Sequence, residues 1–148
     1  MWYEDLSQCD YFANYFYTIA VGFLENGKSY TKGETANEVV EKIYEFNKTS
    51  GMYYRFLGYH QCDFCGFVNI ELGATTILLA YKDKIYAFPM LITHYIESHS
   101  YLPPAEFIEA VLNYNHEYAM DYLRKIVEKV RENKWLLLDE WEKKHGQD

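Results

Sequence analysis

Cys62-Asp63-Phe64-Cys65-Gly66, answered by His94-Tyr95-Ile96-Glu97-Ser98-His99, is the pair of stretches that decides how this chain folds. Two thiols separated by two residues, then two imidazoles, is the donor arithmetic of a closed tetrahedral zinc site. In a C-x-x-C turn both thiolates can converge on one ion, and Gly66 relaxes the backbone just after it. His94 and His99 are five residues apart, about 140° around an ideal helix. One ion takes both only if the last turn loosens, and Leu102-Pro103-Pro104 stands where it could do so. The expected metal ligands are therefore Cys62, Cys65, His94 and His99, with Zn2+ as the cofactor. His60 is the substitute ligand should His99 lie too far, or else a hydrogen-bonding neighbour of the site. The plainer alternative is a buried cysteine pair with surface histidines. A redox reading of the C-x-x-C is weaker, because no βαβ pattern surrounds it.

Working outward, the segment 66–93 must hold strands. Thr75 to Tyr81 is strongly β-prone, Lys82-Asp83 is a tight turn, and Lys84 to Phe88 returns. Met52 to Tyr59 reads as a strand leading into the cysteines, and Phe67 to Leu72 as a further extended run. Pro89 suits the first turn of a helix whose apolar face is Leu91, Ile92, Tyr95 and Ile96. Leu102-Pro103-Pro104 stops that helix, and Pro104 starts the next, with Phe107, Ile108, Val111 and Leu112 inward. Another helix runs from about Glu117 to Glu132, with Tyr118, Tyr122, Leu123, Ile126, Val127 and Val130 on one side. Trp135 to Trp141 continues it or folds back as an apolar flap.

Towards the N-terminus, Tyr17 to Leu24 is a buried strand or a buried helical segment, which periodicity alone does not decide. Asn26-Gly27 marks a turn. Thr35 and Glu38 have capping-box spacing and open a helix carrying Val39, Val40, Ile43, Tyr44 and Phe46. Cys9 reads as a small buried apolar residue.

Composition bounds what such a domain can do. The chain has 148 residues, 49% of them apolar, with 16 tyrosines and a formal net charge of −8. From Glu117 onward acidic and basic residues nearly balance, so the acidic surplus lies in the preceding part. That sign disfavours nucleic acid, which needs Lys and Arg against its phosphates. It suits solubility first and a basic protein partner second. Three cysteines with one C-x-x-C do not make a disulfide framework. The start shows neither a basic n-region nor an apolar h-region, and Tyr15 to Leu24 is too short to span a bilayer. A reducing cytoplasm and no membrane partner are the expectations. No Ser-His-Asp arrangement, phosphate-cradling loop or paired-carboxylate motif stands out. Glu97 could be pictured as a general base, but a solvated helix-face carboxylate is the simpler reading; Glu106 and Glu109 read as an exposed face.

The blocks Trp2 to Phe12, Ile19 to Glu25, Gly58 to Cys65, Tyr86 to Pro89, His94 to His99 and Pro103 to Phe107 resemble a family of short uncharacterised bacterial proteins. The resemblance covers roughly Trp2 to Leu112. It implies that the cysteine knuckle and the histidine helix belong to one module with the N-terminal segment, and it implies no activity.

The expectation is an α+β fold: a small antiparallel sheet with three or four helices, stapled by a Cys2His2 zinc between knuckle and helix. Residues 1–148 form a single domain, with the stapled module at about 52–101 and C-terminal helices at about 104–145. The expected function is that of a non-enzymatic cytoplasmic zinc protein acting through protein–protein contact, inhibitor- or immunity-type included. The alternative is a metal-dependent hydrolase or nuclease with an open metal position.

Overall fold

A computed structural model of the chain describes residues 2–9, 17–49, 53–55, 61–69 and 75–126, with 128, 129 and 132. The fold is α+β. Strands β1 (Ile19–Ala20), β2 (Tyr53–Arg55), β3 (Thr75–Tyr81) and β4 (Lys84–Pro89) form one sheet in the order β1-β4-β3-β2. Helix α1 (Asn37–Thr49) precedes β2; α2 (Ile92–His99) and α3 (Ala105–Leu112) follow β4. A fourth helix, α4, occupies residues 116–126. No helix among the described residues is long and apolar enough to cross a membrane.

The β3–β4 hairpin is the frame. Its register runs from Thr76 opposite Pro89 to Tyr81 opposite Lys84, closed by Lys82 and Asp83 at φ 47° and 60°. Positive φ at both central residues is the twist that two-residue hairpin turns require. Neither residue is glycine, and the turn is gripped from α4: Tyr118 Oη donates to Asp83 Oδ1 at 3.2 Å and Tyr122 Oη to the Asp83 carbonyl at 3.1 Å. β2 adds antiparallel to β3, but β1 lies parallel to β4. The sheet is thus mixed, where the sequence led us to expect purely antiparallel pairing. The parallel strand comes from Tyr17 to Leu24, which is buried without interruption from Thr18 to Leu24.

Alternation along the hairpin sends side chains to two apolar clusters. Ile77, Leu79, Tyr86 and Phe88 meet α1, α2 and α3 through Ile43, Phe46, Ile92 and Phe107. Leu78, Ala80, Ile85 and Ala87 face Cys9, Phe23, Ala119 and Leu123 on the other side. The sheet is covered on both faces, so its strands read as continuous apolar runs. Gly22, at φ 78°, lets the chain after β1 pass under α2; a Cβ there would stand 2.8 Å from Ile92 Cδ1.

Several element ends differ from the sequence expectation. Pro89 is the last residue of β4, and α2 starts at Ile92; proline at a strand end gives up only a single ladder donor. α1 starts at Asn37, because Thr35 Oγ1 bonds the Tyr101 carbonyl at 3.2 Å instead of capping the helix. Leu112, Tyr44 and Tyr118 are exposed, whereas Ala110 and Ala119 are buried in their helices. Phe67 to Asn69 is not a strand. The rest of Phe67 to Leu72, most of Met52 to Tyr59, Val127, Val130 and Trp135 to Trp141 fall outside the described residues.

Glu106 is not merely solvated. Its Oε2 accepts from Tyr86 Oη at 2.7 Å and pairs with Lys84 Nζ at 3.3 Å, joining α3 to β4. The Tyr86 hydrogen bond, with Lys84 beside it, holds the carboxyl below its usual range, against a smaller opposing effect of burial. A depressed folded-state value stabilises the protein above the unfolded carboxyl's pKa, near 4.5, and the stabilisation is lost as pH falls through the folded value. Tyr86→Phe should therefore cost about 1 kcal/mol at pH 7. Urea titrations from pH 7 to pH 3 should show this difference narrowing below pH 4.5; a constant difference would contradict the linkage.

Candidate metal centre

The knuckle is a backbone device. Gly66 N–H bonds the Cys62 carbonyl at 2.8 Å, and Cys62 N–H bonds the Phe67 carbonyl at 2.9 Å. Gly66 reverses the chain at φ 74°, with nothing within 4 Å of where a Cβ would stand. A side chain there would meet open space, so the requirement for glycine is conformational. Asp63 Oδ2 accepts from the Asn26 backbone N–H at 2.7 Å, tying the Asn26-Gly27 turn to the knuckle.

The histidines come from α2, and the last turn of that helix is widened. Ser100, at φ 53°, sends its N–H back to the Tyr95 carbonyl, and Tyr101 N–H reaches the same oxygen at 3.2 Å. Closure over five and six residues rather than four turns His99 back toward the side of His94, and the rings lie with centroids 5.0 Å apart. The agent is the left-handed residue at Ser100 and what grips it, more than the prolines beyond. Residues 30–35 run antiparallel beside 99–102. Tyr30 Oη donates to the His99 carbonyl at 2.9 Å, Gly33 N–H to the Ser100 carbonyl at 2.9 Å, and Leu102 N–H to the Thr31 carbonyl at 2.9 Å.

These two devices bring all four expected residues together. Cys62 Sγ lies 3.3 Å from His99 Nε2, and Cys65 Sγ lies 3.3 Å from His94 Nε2. One donor atom from each of the four falls within 4.8 Å of every other. A tetrahedral ion with metal–S of about 2.3 Å and metal–N of about 2.0 Å sets sulfur and nitrogen about 3.5 Å apart. Two edges of the donor tetrahedron already have nearly that length. The group can hold a metal ion.

Burial acts on the donors in opposite senses. Burial pushes the Cys62 thiol up, with the Phe64 and Cys65 backbone N–H groups opposing, and the neighbouring Cys65 adds to the rise. Burial, then the repulsion of His99, pushes His94 down, which favours the neutral ring that ligates. A positive ion among these donors would stabilise both thiolates.

Aromatic rings form the wall around the donors. Phe67 stacks flat on His94, with centroids 4.2 Å and planes 10° apart. Phe64 leans on His99 at 5.1 Å and on Tyr30 at 5.4 Å. Sequence reasoning missed Tyr30, Phe64 and Phe67 as supports of the site; only the position of Phe64 inside the C-x-x-C was a usable signal. Glu97, between the histidines in sequence, does not serve them: its Oε1 accepts from Tyr44 Oη of α1 at 3.0 Å. His60 lies outside the described residues.

With zinc as the test metal, Cys62→Ser or His94→Ala should each behave like chelator-treated wild type in thermal melts, with or without added zinc. Phe67→Ala should keep the stoichiometry and weaken affinity by about tenfold, as loss of a support behind a ligand does. Competition titration against a chromophoric chelator, with thermal melts, measures both; a ligand variant that retains the full metal-dependent shift would contradict the assignment.

Residues 1–112 match the family model described as a domain of unknown function, DUF7919. No curated protein matches the chain, and no solved structure does. The match takes in both halves of the cluster and stops at the last residue of α3, close to where the resemblance in the sequence ends. By that match the chain belongs to the DUF7919 family, with its four metal-ligand candidates inside the family domain.

Proposed function

We propose that this protein is a non-enzymatic zinc-binding protein of a reducing compartment such as the cytoplasm. Its Cys62, Cys65, His94 and His99 close around one structural ion, and it works by contact with another protein. The observation that carries the reading is the donor geometry: two thiols and two imidazoles within 4.8 Å, with two sulfur–nitrogen edges of 3.3 Å. Two thiolates and two imidazoles suit zinc over harder cations, which prefer oxygen. A site whose four positions are filled by protein has no place for a water nucleophile, and catalytic zinc needs one. Glu97, the nearest carboxylate in sequence, is engaged by Tyr44.

The partner class follows from charge. A surface with a net charge of −8 attracts a basic protein and repels nucleic acid. An inhibitor or immunity-type protein directed at a basic target is one form this takes. Full-length protein expressed with zinc should carry one ion per chain, lose its fold on exhaustive chelation as followed by circular dichroism, and regain it with zinc. The loaded protein should leave phosphodiester and ester substrates untouched. Metal-dependent hydrolysis that disappears in Glu97→Gln would overturn the non-enzymatic reading; metal loss without any change of fold would overturn the structural one.

A further inference from the structure

The two sulfurs of the cluster are not equivalent. Cys62 is 1% exposed and belongs to the apolar core, whereas Cys65 is exposed at the tip of the knuckle. The histidines divide the same way, His99 with the inner thiol and His94 with the outer. A solute reaching the site therefore meets Cys65 before Cys62. The two thiols also share a short turn, with Gly66 N–H on the Cys62 carbonyl, and their sulfurs lie within 4.8 Å. A disulfide needs about 2.05 Å between sulfurs, and side-chain rotation in a turn this tight can supply the approach.

We infer that Cys65 is a modification site for hydroperoxides and Cys62 its resolving thiol, so that oxidation of the knuckle releases the metal. This rests on the reading that the four residues hold zinc. The Cys65 thiolate attacks one peroxide oxygen: the S–O bond forms, the O–O bond breaks, and the second oxygen leaves as hydroxide, which takes a proton to become water. Cys62 thiolate then attacks the Cys65 sulfur: the S–S bond forms, the S–O bond breaks, and a second hydroxide leaves and is protonated. Two thiolates, one hydrogen peroxide and two protons give one disulfide and two waters. The peroxide is reduced by two electrons, which come from the two sulfurs. A disulfide is a poor donor, and His94 and His99 alone hold zinc weakly, so the ion departs. Cys9 cannot substitute for Cys62, because it lies in the cluster on the opposite face of the sheet.

The polarity of the pair separates this reaction from general thiol damage. Over-oxidation takes a sulfenic acid with no second thiol at hand, and here one is built in three positions earlier in the chain.

The test uses zinc-loaded full-length protein and hydrogen peroxide, with a chromophoric chelator reporting released zinc and mass spectrometry reporting the products. Expected are one zinc released per chain, at least about tenfold faster than in buffer, and a product about 2 Da lighter than the reduced chain and mapped to a 62–65 disulfide. Dithiothreitol with zinc should restore the loaded form. With excess dimedone present, limiting peroxide on the zinc-loaded wild-type chain should label a fraction of the molecules at Cys65 and none at Cys62. Zinc that stays bound with thiols intact, release with Cys65 carried to sulfinic acid and no disulfide, or no dimedone label on Cys65 would each overturn the proposal. A chain that never takes up zinc fails earlier and overturns the metal reading itself, which separates the two failures.

Discussion

The knuckle has little apolar burial of its own beyond Cys62 and Phe64. Between Gln61 and Val68 only Cys62 is buried; Asp63, Cys65, Gly66, Phe67 and Val68 are exposed, and Phe64 is half-buried. Apolar burial stabilises by about 25 cal/mol per Å2, and a mostly exposed turn gains little of it. The Asn26–Asp63 hydrogen bond is exposed and contributes about 1 kcal/mol at best. A metal ion shared by Cys62, Cys65, His94 and His99 would change that balance, since structural zinc in small modules contributes on the order of 10 kcal/mol. The rest of the site follows from this need: the widened end of α2, the strand-like contact of residues 30–35, and the stacking of Phe67 on His94.

The elements outside the family match are part of the same structure. α4 begins after Leu112, yet Ala119 and Leu123 fill the second face of the sheet, and Tyr118 and Tyr122 hold the hairpin turn at Asp83. Lys82 and Asp83 both adopt positive φ without being glycine, a conformation that costs about 1 kcal/mol per residue. The tyrosine contacts offset part of that cost. The hairpin carries β4 directly into α2, so α4 supports the metal centre at a distance, by fixing the frame from which the histidines project.

What was legible in the sequence was whatever depended on local chemistry at fixed spacing. Cys62, Cys65, His94 and His99 could be picked out as one group because metal chemistry selects particular residue types at fixed spacing, and their donor atoms do gather within 4.8 Å. The Thr75 to Phe88 hairpin could be read because β-branched runs flanked a two-residue turn. The elements that misled had local signals overruled by tertiary partners. Thr35 has the spacing of a helix cap, but Tyr101 offers its hydroxyl a carbonyl. Pro89 suits a helix start, but β3 holds it in the sheet opposite Thr76. Glu106 looks like a solvated helix residue until Tyr86, far away in the chain, donates to it. The parallel pairing of β1 with β4 left no trace, because pairing direction depends on the path between strands and not on either strand. Phe67 was unreadable as a support for His94 for the same reason: a ring stack has no spacing rule.

One ion held jointly by the knuckle and α2 would have a definite spectroscopic signature. X-ray absorption at the zinc edge on the loaded full-length protein tests it most directly. Joint ligation gives two sulfur ligands at about 2.3 Å and two imidazole nitrogens at about 2.0 Å, with no coordinated water. A shell of oxygen and nitrogen without sulfur, or one with an open position filled by water, would contradict it.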